Sequence, residues 1–223
     1  MSEYQYYEFR SIDRPLTQAE MAELRAISTR AEINSTRFRN IYNYGDLKAE
    51  PLELMQRYFD AFVYVANWGT HQFMARLPTG LFDAEAARRY AVEPVLEVVE
   101  RDGLVTVGLT ANNDEGGDWV TDEEAEHWMP ALLPLRDDLA NGDLRMLYLG
   151  WLAAAWAGEL DDDQIEPPVP PGLGSLSAPL EALAEFLYLP ADLLTVAAER
   201  SGDMPKAPAS GDLRRWIEDQ PVS

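Results

Sequence analysis

The chain has 223 residues, 47% of them apolar, which is enough for one large domain or two small ones with a packed core. It contains no cysteine, which excludes disulfides, thiolate zinc sites and cysteine nucleophiles and fits a reducing compartment. Its formal net charge of −21 opposes binding to the phosphate backbone of nucleic acids and to anionic membrane surfaces.

The first elements alternate between strand and helix. Residues 4–12 alternate aromatic and polar side chains, which is the pattern of a strand. Thr17 and Glu20 have the spacing of a capping box, so we expect a helix over residues 17–29. Residues 31–44 predict a further strand with an irregular middle.

The middle of the chain predicts most of a sheet. After a short helix that begins near Pro51, residues 62–68 (FVYVANW) are rich in β-branched and aromatic side chains and predict a buried strand. A neighbouring strand is predicted over residues 71–77. Asp102-Gly103 lies between two apolar runs, which is a strong hairpin signal. We therefore expect five or six strands in total.

Beyond residue 110 the hydrophobic period changes from two residues to about 3.6, which predicts helices. Residues 123–139 predict two short helices or one kinked helix, because two prolines interrupt them. Residues 144–157 are apolar nearly all round, so we expect a buried central helix with Trp151 and Trp156 in the core.

An acidic, proline-rich connector over residues 160–174 is predicted to be stiffened by polyproline geometry. Two apolar helical stripes follow it and are separated by Pro190. Trp216 and Ile217 predict a short terminal helix.

The order of these elements predicts an α+β protein. We expect an α+β domain over residues 1–110, with a mixed or antiparallel sheet and helices on one face. We expect an acidic, all-helical domain over residues 111–223, which includes the connector. The alternative that both parts pack as one unit stays open.

The negative charge is concentrated in the second half of the chain. Residues 1–110 contain 16 acidic and 12 basic residues, whereas residues 111–223 contain 23 and 6. Charge of one sign on one half creates a directional field that attracts basic partners and weakens with salt. The interface candidates in this half are Asp161, Asp162 and Asp163.

Eight of the ten tyrosines lie in the first half of the chain. Aromatic residues on a strand can stack on bases, but the basic residues that such binding needs are outnumbered here. Tyrosine rings at a core edge or at a protein interface fit better. The tyrosines proposed for a contact face are Tyr4, Tyr6, Tyr42 and Tyr44.

No catalytic or cofactor motif accompanies the charge. Glu124 and His127 have the spacing of helical metal ligands, but the second copy of the pair is absent, so a solvated acidic face is favoured. His71 follows a glycine turn and lacks a nucleophile, which favours a structural histidine in a turn. The sequence thus predicts no catalytic residue, no metal and no cofactor.

Three segments of the chain resemble an uncharacterised bacterial protein family. They are YYEFRSIDRPLT, MQRYFDAFVYVANWGT and GELDDDQIEPPVPPGL, and together the likeness covers most of the chain. Proteins of this family are encoded near SWIM-type zinc-finger proteins. The resemblance therefore implies a protein partner, such as a SWIM-type zinc-finger protein, and transfers no catalytic residue.

The sequence favours a non-enzymatic, acidic interaction subunit or adaptor of a bacterial multi-protein system. An acidic decoy that imitates nucleic acid and a metal-dependent hydrolase using Glu124 and His127 are the alternatives. The start of the chain lacks a secretory pattern, and no apolar stretch reaches the roughly 18–20 residues of a membrane span. We therefore expect a cytoplasmic protein that contacts neither membranes nor nucleic acid directly.

The net charge predicts that the protein binds duplex DNA no better than other acidic proteins do. Fluorescence anisotropy with a mixed-sequence duplex at about 0.15 M salt should show no saturation, because the phosphates repel the chain. Tight binding under these conditions would contradict both the adaptor and the nucleic-acid mimic.

Overall fold

Seven strands form one antiparallel sheet in the order β2-β3-β1-β4-β5-β7-β6, and the computed structural model describes residues 3–113 and 120–204. The strands are β1 (Gln5–Arg10), β2 (Glu32–Asn34), β3 (Arg37–Tyr42), β4 (Ala61–Ala66), β5 (Thr70–Pro78), β6 (Leu96–Arg101) and β7 (Leu104–Asn112). The helices are α1 (Gln18–Ile27), α2 (Pro51–Arg57), α3 (Ala84–Arg88), α4 (Asp122–Leu132), α5 (Pro134–Ala140), α6 (Arg145–Ala157), α7 (Ala178–Phe186) and α8 (Ala191–Arg200). The predicted α+β class is confirmed.

Local sequence signals account for several of these elements. The β6–β7 hairpin turns at Asp102 and Gly103, whose φ angles of 54° and 77° match the left-handed pair of a type I′ turn. The capping box of Thr17 and Glu20 starts α1, with both of its hydrogen bonds formed. The helix predicted at Trp216 lies outside the described residues.

The irregular strand predicted over residues 31–44 is a hairpin of β2 and β3, so the sheet has seven strands rather than five or six. The Asn34 side chain causes the break, because its Oδ1 accepts the backbone N–H of Thr36 at 2.8 Å. Such a local turn replaces ladder hydrogen bonds within the run.

Helices cover both faces of the sheet, and the prediction of helices on one face is wrong. All six side chains of β4 are buried, and successive residues of a strand point to opposite faces. On one face Phe62 lies in a core cluster with side chains of α1 and α2. On the other face Val63 lies in a cluster with side chains of α3 to α8. Because consecutive residues of β4 are apolar, each face of the sheet needs its own layer of helices to exclude water.

The predicted C-terminal all-helical unit is not confirmed, because α4 to α8 share a hydrophobic cluster with the sheet. Helix α6 lies close to the sheet at Gly150, where a Cβ atom would lie 2.5 Å from Cδ2 of Leu109. Glycine thus permits the contact between α6 and β7. The division of the chain near residue 110 stays a prediction. Among the described residues no helix has the length and apolar character to cross a membrane.

The two tryptophans of α6 have different environments. Trp151 is 8% exposed and its ring lies 5.8 Å from that of Tyr148, which fits the predicted core position. Trp156 is 62% exposed, so its predicted core position is wrong. The helix buries residues 145–154 and continues for one more turn into solvent.

The different burial of the two tryptophans predicts that their replacement by alanine lowers the free energy of unfolding by different amounts. Trp151→Ala should lower the free energy of unfolding by roughly 3–5 kcal/mol, as large-to-small core changes do. Trp156→Ala should change it by no more than about 0.5 kcal/mol, because its side chain is mostly solvated. Urea unfolding followed by circular dichroism measures both, and equal losses would contradict the burial of α6 described above.

Candidate functional site

The four tyrosines proposed for a contact face lie in different environments. Tyr6 is fully buried. Tyr4 is half-buried and donates a hydrogen bond of 2.9 Å to Oδ1 of Asp122 at the start of α4. Burial and this bond raise the pKa of Tyr4. Tyr42 is half-buried, and Tyr44 is 80% exposed. Their interface role stays a prediction, and Tyr44 offers the most surface to a partner.

Two fully buried carboxylates belong to ion pairs. Glu8 Oε1 lies 2.7 Å from Nε of Arg10 and 2.8 Å from Nε of Arg37. Asp60 Oδ1 lies 2.6 Å from Arg76. Each carboxylate is compensated by a cation within the fold, as buried charges require. The first set connects β1 to β3, and the second connects β5 to the residue before β4.

Glu124 serves as a helix cap. Its carboxylate accepts the backbone N–H of Thr121 at 2.8 Å, and the Thr121 hydroxyl accepts the N–H of Glu124 at 3.3 Å. These bonds lower the pKa of Glu124. Within residues 3–113 and 120–204 no group of three acidic or histidine side chains is placed to hold a metal ion. The Thr-x-x-Glu spacing at residues 121–124 is typical of a capping box, so this role of Glu124 could have been predicted from the sequence.

The connector of residues 160–174 runs back along α6. Tyr148, in the first half of α6, donates to Oε1 of Glu166 at 2.7 Å. Arg145, at the start of α6, donates to the carbonyl oxygen of Gly172 at 3.3 Å. The later part of the connector therefore lies near the start of α6, and its acidic first residues lie near the C-terminal end of that helix.

The surface at that end is strongly acidic. Residues 120–204 contain 17 acidic residues, three arginines and no lysine. Asp161, Asp162 and Asp163 are exposed, and no arginine or lysine of the described residues pairs with them. The three arginines are occupied elsewhere, by Asp13, Asp143 and Glu166.

A cleft of about 640 Å³ opens beside the last turn of α6. It lies between the end of β7 on one side and the C-terminal ends of α6 and α7 on the other. Glu159 is the one charged residue among the described residues that line it. The polar and aromatic lining residues are Thr110, Asn112, Asn113, Trp156, Glu159 and Tyr188.

Tyr188 connects this cleft to His71. The Tyr188 hydroxyl lies 3.0 Å from Nε2 of His71, and Nδ1 lies 2.9 Å from the carbonyl oxygen of Phe186. Because a carbonyl only accepts, Nδ1 carries the proton and Nε2 accepts the hydroxyl of Tyr188. The His71 ring stacks on the rings of Phe186 and Tyr188, with centroid distances of 4.7 and 4.8 Å. His71 lies within β5 and not in the turn that the sequence predicted, and its purely structural role stays a prediction.

Tyr188 adopts a left-handed backbone conformation, with φ of 56°, directly after the cap of α7. Glycine is the common residue at this position, and a side chain there costs roughly 1–3 kcal/mol of strain. The hydrogen bond and the stacking on His71 offset this cost. The side chain at position 188 is therefore specifically positioned at the cleft.

The burial of His71 predicts a pH dependence of stability. Burial lowers the pKa of His71 below its ordinary value of 6.5, so below that pH the unfolded chain takes up a proton that the folded chain does not. The contribution is present above pH 6.5 and is lost as the pH falls from 6.5 towards the lowered pKa, by up to about 1.4 kcal/mol per pH unit. Urea unfolding across this range measures it.

Two variants isolate the histidine. His71→Asn should remove this part of the pH dependence, whereas His127→Asn should retain it, because His127 is exposed. The carboxylates are the same in all three proteins, so they contribute equally to the pH dependence of the free energy of unfolding. An identical slope in the wild type and His71→Asn would contradict the assigned environment.

Comparisons with known proteins found no match to any family model, curated protein or solved structure. The resemblance to the bacterial family stays a prediction. A function for the chain therefore has to come from its own surface and cleft.

Proposed function

We propose that the protein is a non-enzymatic interaction subunit that holds a basic protein partner at the C-terminal end of α6. We call this region the acidic surface, and it comprises Trp156, Glu159 and Asp161–Asp163. The observation that carries the proposal is that three consecutive exposed carboxylates, unpaired with any described cation, follow an exposed tryptophan.

The charge at this place is unfavourable for the chain itself. A helix carries a partial negative charge at its C-terminus, so carboxylates beside the end of α6 are repelled by the helix and by one another. Each such repulsion costs a few tenths of a kcal/mol at an exposed site. A cationic partner neutralises these carboxylates, and the relief of their repulsion adds to the free energy of binding.

Trp156 supports the same location. Tryptophan is enriched among the residues that contribute most to binding at protein interfaces, and here its side chain is 62% exposed. The acidic field steers a basic partner towards this end of the molecule, and contact with the indole then holds it.

In this proposal the protein is an adaptor of a bacterial multi-protein system and works in the cytoplasm. The partner is a basic protein, and a SWIM-type zinc-finger protein is the first to test. Nothing in the proposal requires a cofactor or a catalytic residue.

Binding of a fluorescent, arginine- and lysine-rich peptide tests the location of the surface. Changing Asp161, Asp162 and Asp163 to Asn should weaken binding about tenfold at low salt, because each exposed pair contributes up to about 1 kcal/mol. The effect should shrink as salt is added, since exposed charges are then screened.

A matched control separates local charge from net charge. Changing Glu50, Glu53 and Glu97 to Gln removes the same three charges from exposed sites in the first half of the chain. This variant should bind almost as well as the wild type. Equal weakening in both triple variants would mean that net charge alone attracts the peptide, and the proposed surface would be wrong.

A further inference from the structure

The cleft beside α6 has a chemistry suited to a cation. Its aromatic side chains are Trp156 and Tyr188, and its one charged side chain among the described lining residues is Glu159. Asn112 and Asn113 add amide groups on the opposite side. Aromatic faces together with a carboxylate favour a cation, and the amide groups can accept as well as donate hydrogen bonds.

The surroundings strengthen this preference. Asp161, Asp162 and Asp163 follow Glu159 closely in the chain, at the same end of α6. A concave site with charges of one sign beside it focuses the field, and so raises the local concentration of cations. A cleft of about 640 Å³ is within the size range of pockets that hold small ligands or a peptide side chain.

The aromatic groups favour arginine over lysine. A guanidinium is planar, stacks on aromatic rings, and carries five donors that match carboxylate and amide oxygens. It is also more weakly hydrated than an ammonium, so it loses less on entering a partly closed site. Tyr188 is held in place before binding, because His71 Nε2 accepts its hydroxyl at 3.0 Å.

We infer that the cleft binds an arginine side chain of the basic partner, with Trp156 and Tyr188 contacting the guanidinium and Glu159 neutralising it. This inference rests on the proposed function and deepens it. The acidic surface provides attraction to any basic segment, and the cleft selects arginine within that segment.

Three peptides of one sequence test the inference. The first peptide carries arginine as its only charged type of residue. The second carries lysine at the same positions, and the third carries citrulline there, which is the uncharged analogue of arginine. The dissociation constants come from fluorescence anisotropy at about 0.15 M salt. The wild type should bind the arginine peptide about threefold or more tightly than the lysine peptide, and the citrulline peptide much more weakly than either.

Substitution of Trp156 should remove the selectivity. Trp156→Ala should weaken binding of the arginine peptide about three- to thirtyfold and abolish its advantage over lysine, while Trp156→Phe should retain part of it. Trp68→Ala removes another exposed tryptophan side chain, outside the cleft lining, and should leave all three affinities unchanged. An unchanged melting temperature of Trp156→Ala shows that its fold is intact.

The outcomes distinguish the two proposals. Equal affinity of the wild type for the arginine and lysine peptides overturns the cleft inference, and the acidic surface stays in place if the Asn variant of Asp161, Asp162 and Asp163 still binds both peptides more weakly. Citrulline binding as tight as arginine binding also overturns the inference. Failure of the wild type to bind either cationic peptide overturns both proposals.

Discussion

Burial of β4 on both faces is the constraint on which the rest of the structure depends. Its six side chains are all buried, so two separate layers of helix have to cover the sheet. The layer formed by α1 and α2 is local in sequence, whereas the other layer contains α3 together with α4 to α8 from the C-terminal half of the chain. Helices α4 to α8 of the strongly acidic half are therefore held against the sheet by apolar contacts, and none of the described carboxylates beyond residue 120 is fully buried.

The candidate site follows from how that second layer ends. Helix α6 lies against β6 and β7 near Gly150, and its last turn, with Trp156, extends beyond the buried segment. The chain then reverses, so that the connector returns along α6 to Arg145. A helix end, a reversing acidic segment and an exposed indole are thus brought together at one place. The cleft beside them is completed by Tyr188, which His71 holds from within the sheet.

Features that depend on short-range chemistry were predictable from the sequence. The turn at Asp102-Gly103 and the cap at Thr17 need only neighbouring residues, and both are confirmed. Trp151 and Trp156 could not be told apart, because a helix that is apolar nearly all round does not show where its cover ends. The contact of His71 with Tyr188 joins residues 117 positions apart, so no local pattern reveals it. The consecutive apolar residues of β4 did indicate burial on both faces, and the prediction of helices on one face was inconsistent with that pattern.

The central claim is that a basic partner contacts the molecule at the end of α6. The six tryptophans offer a direct test, because each indole N–H gives its own signal in a two-dimensional nuclear magnetic resonance spectrum of ¹⁵N-labelled protein. On titration with an arginine-rich peptide, the Trp156 signal should shift progressively and saturably, whereas the buried Trp151 signal should stay in place. A saturable shift of the Trp68 signal with Trp156 unmoved would place the contact elsewhere and contradict the account.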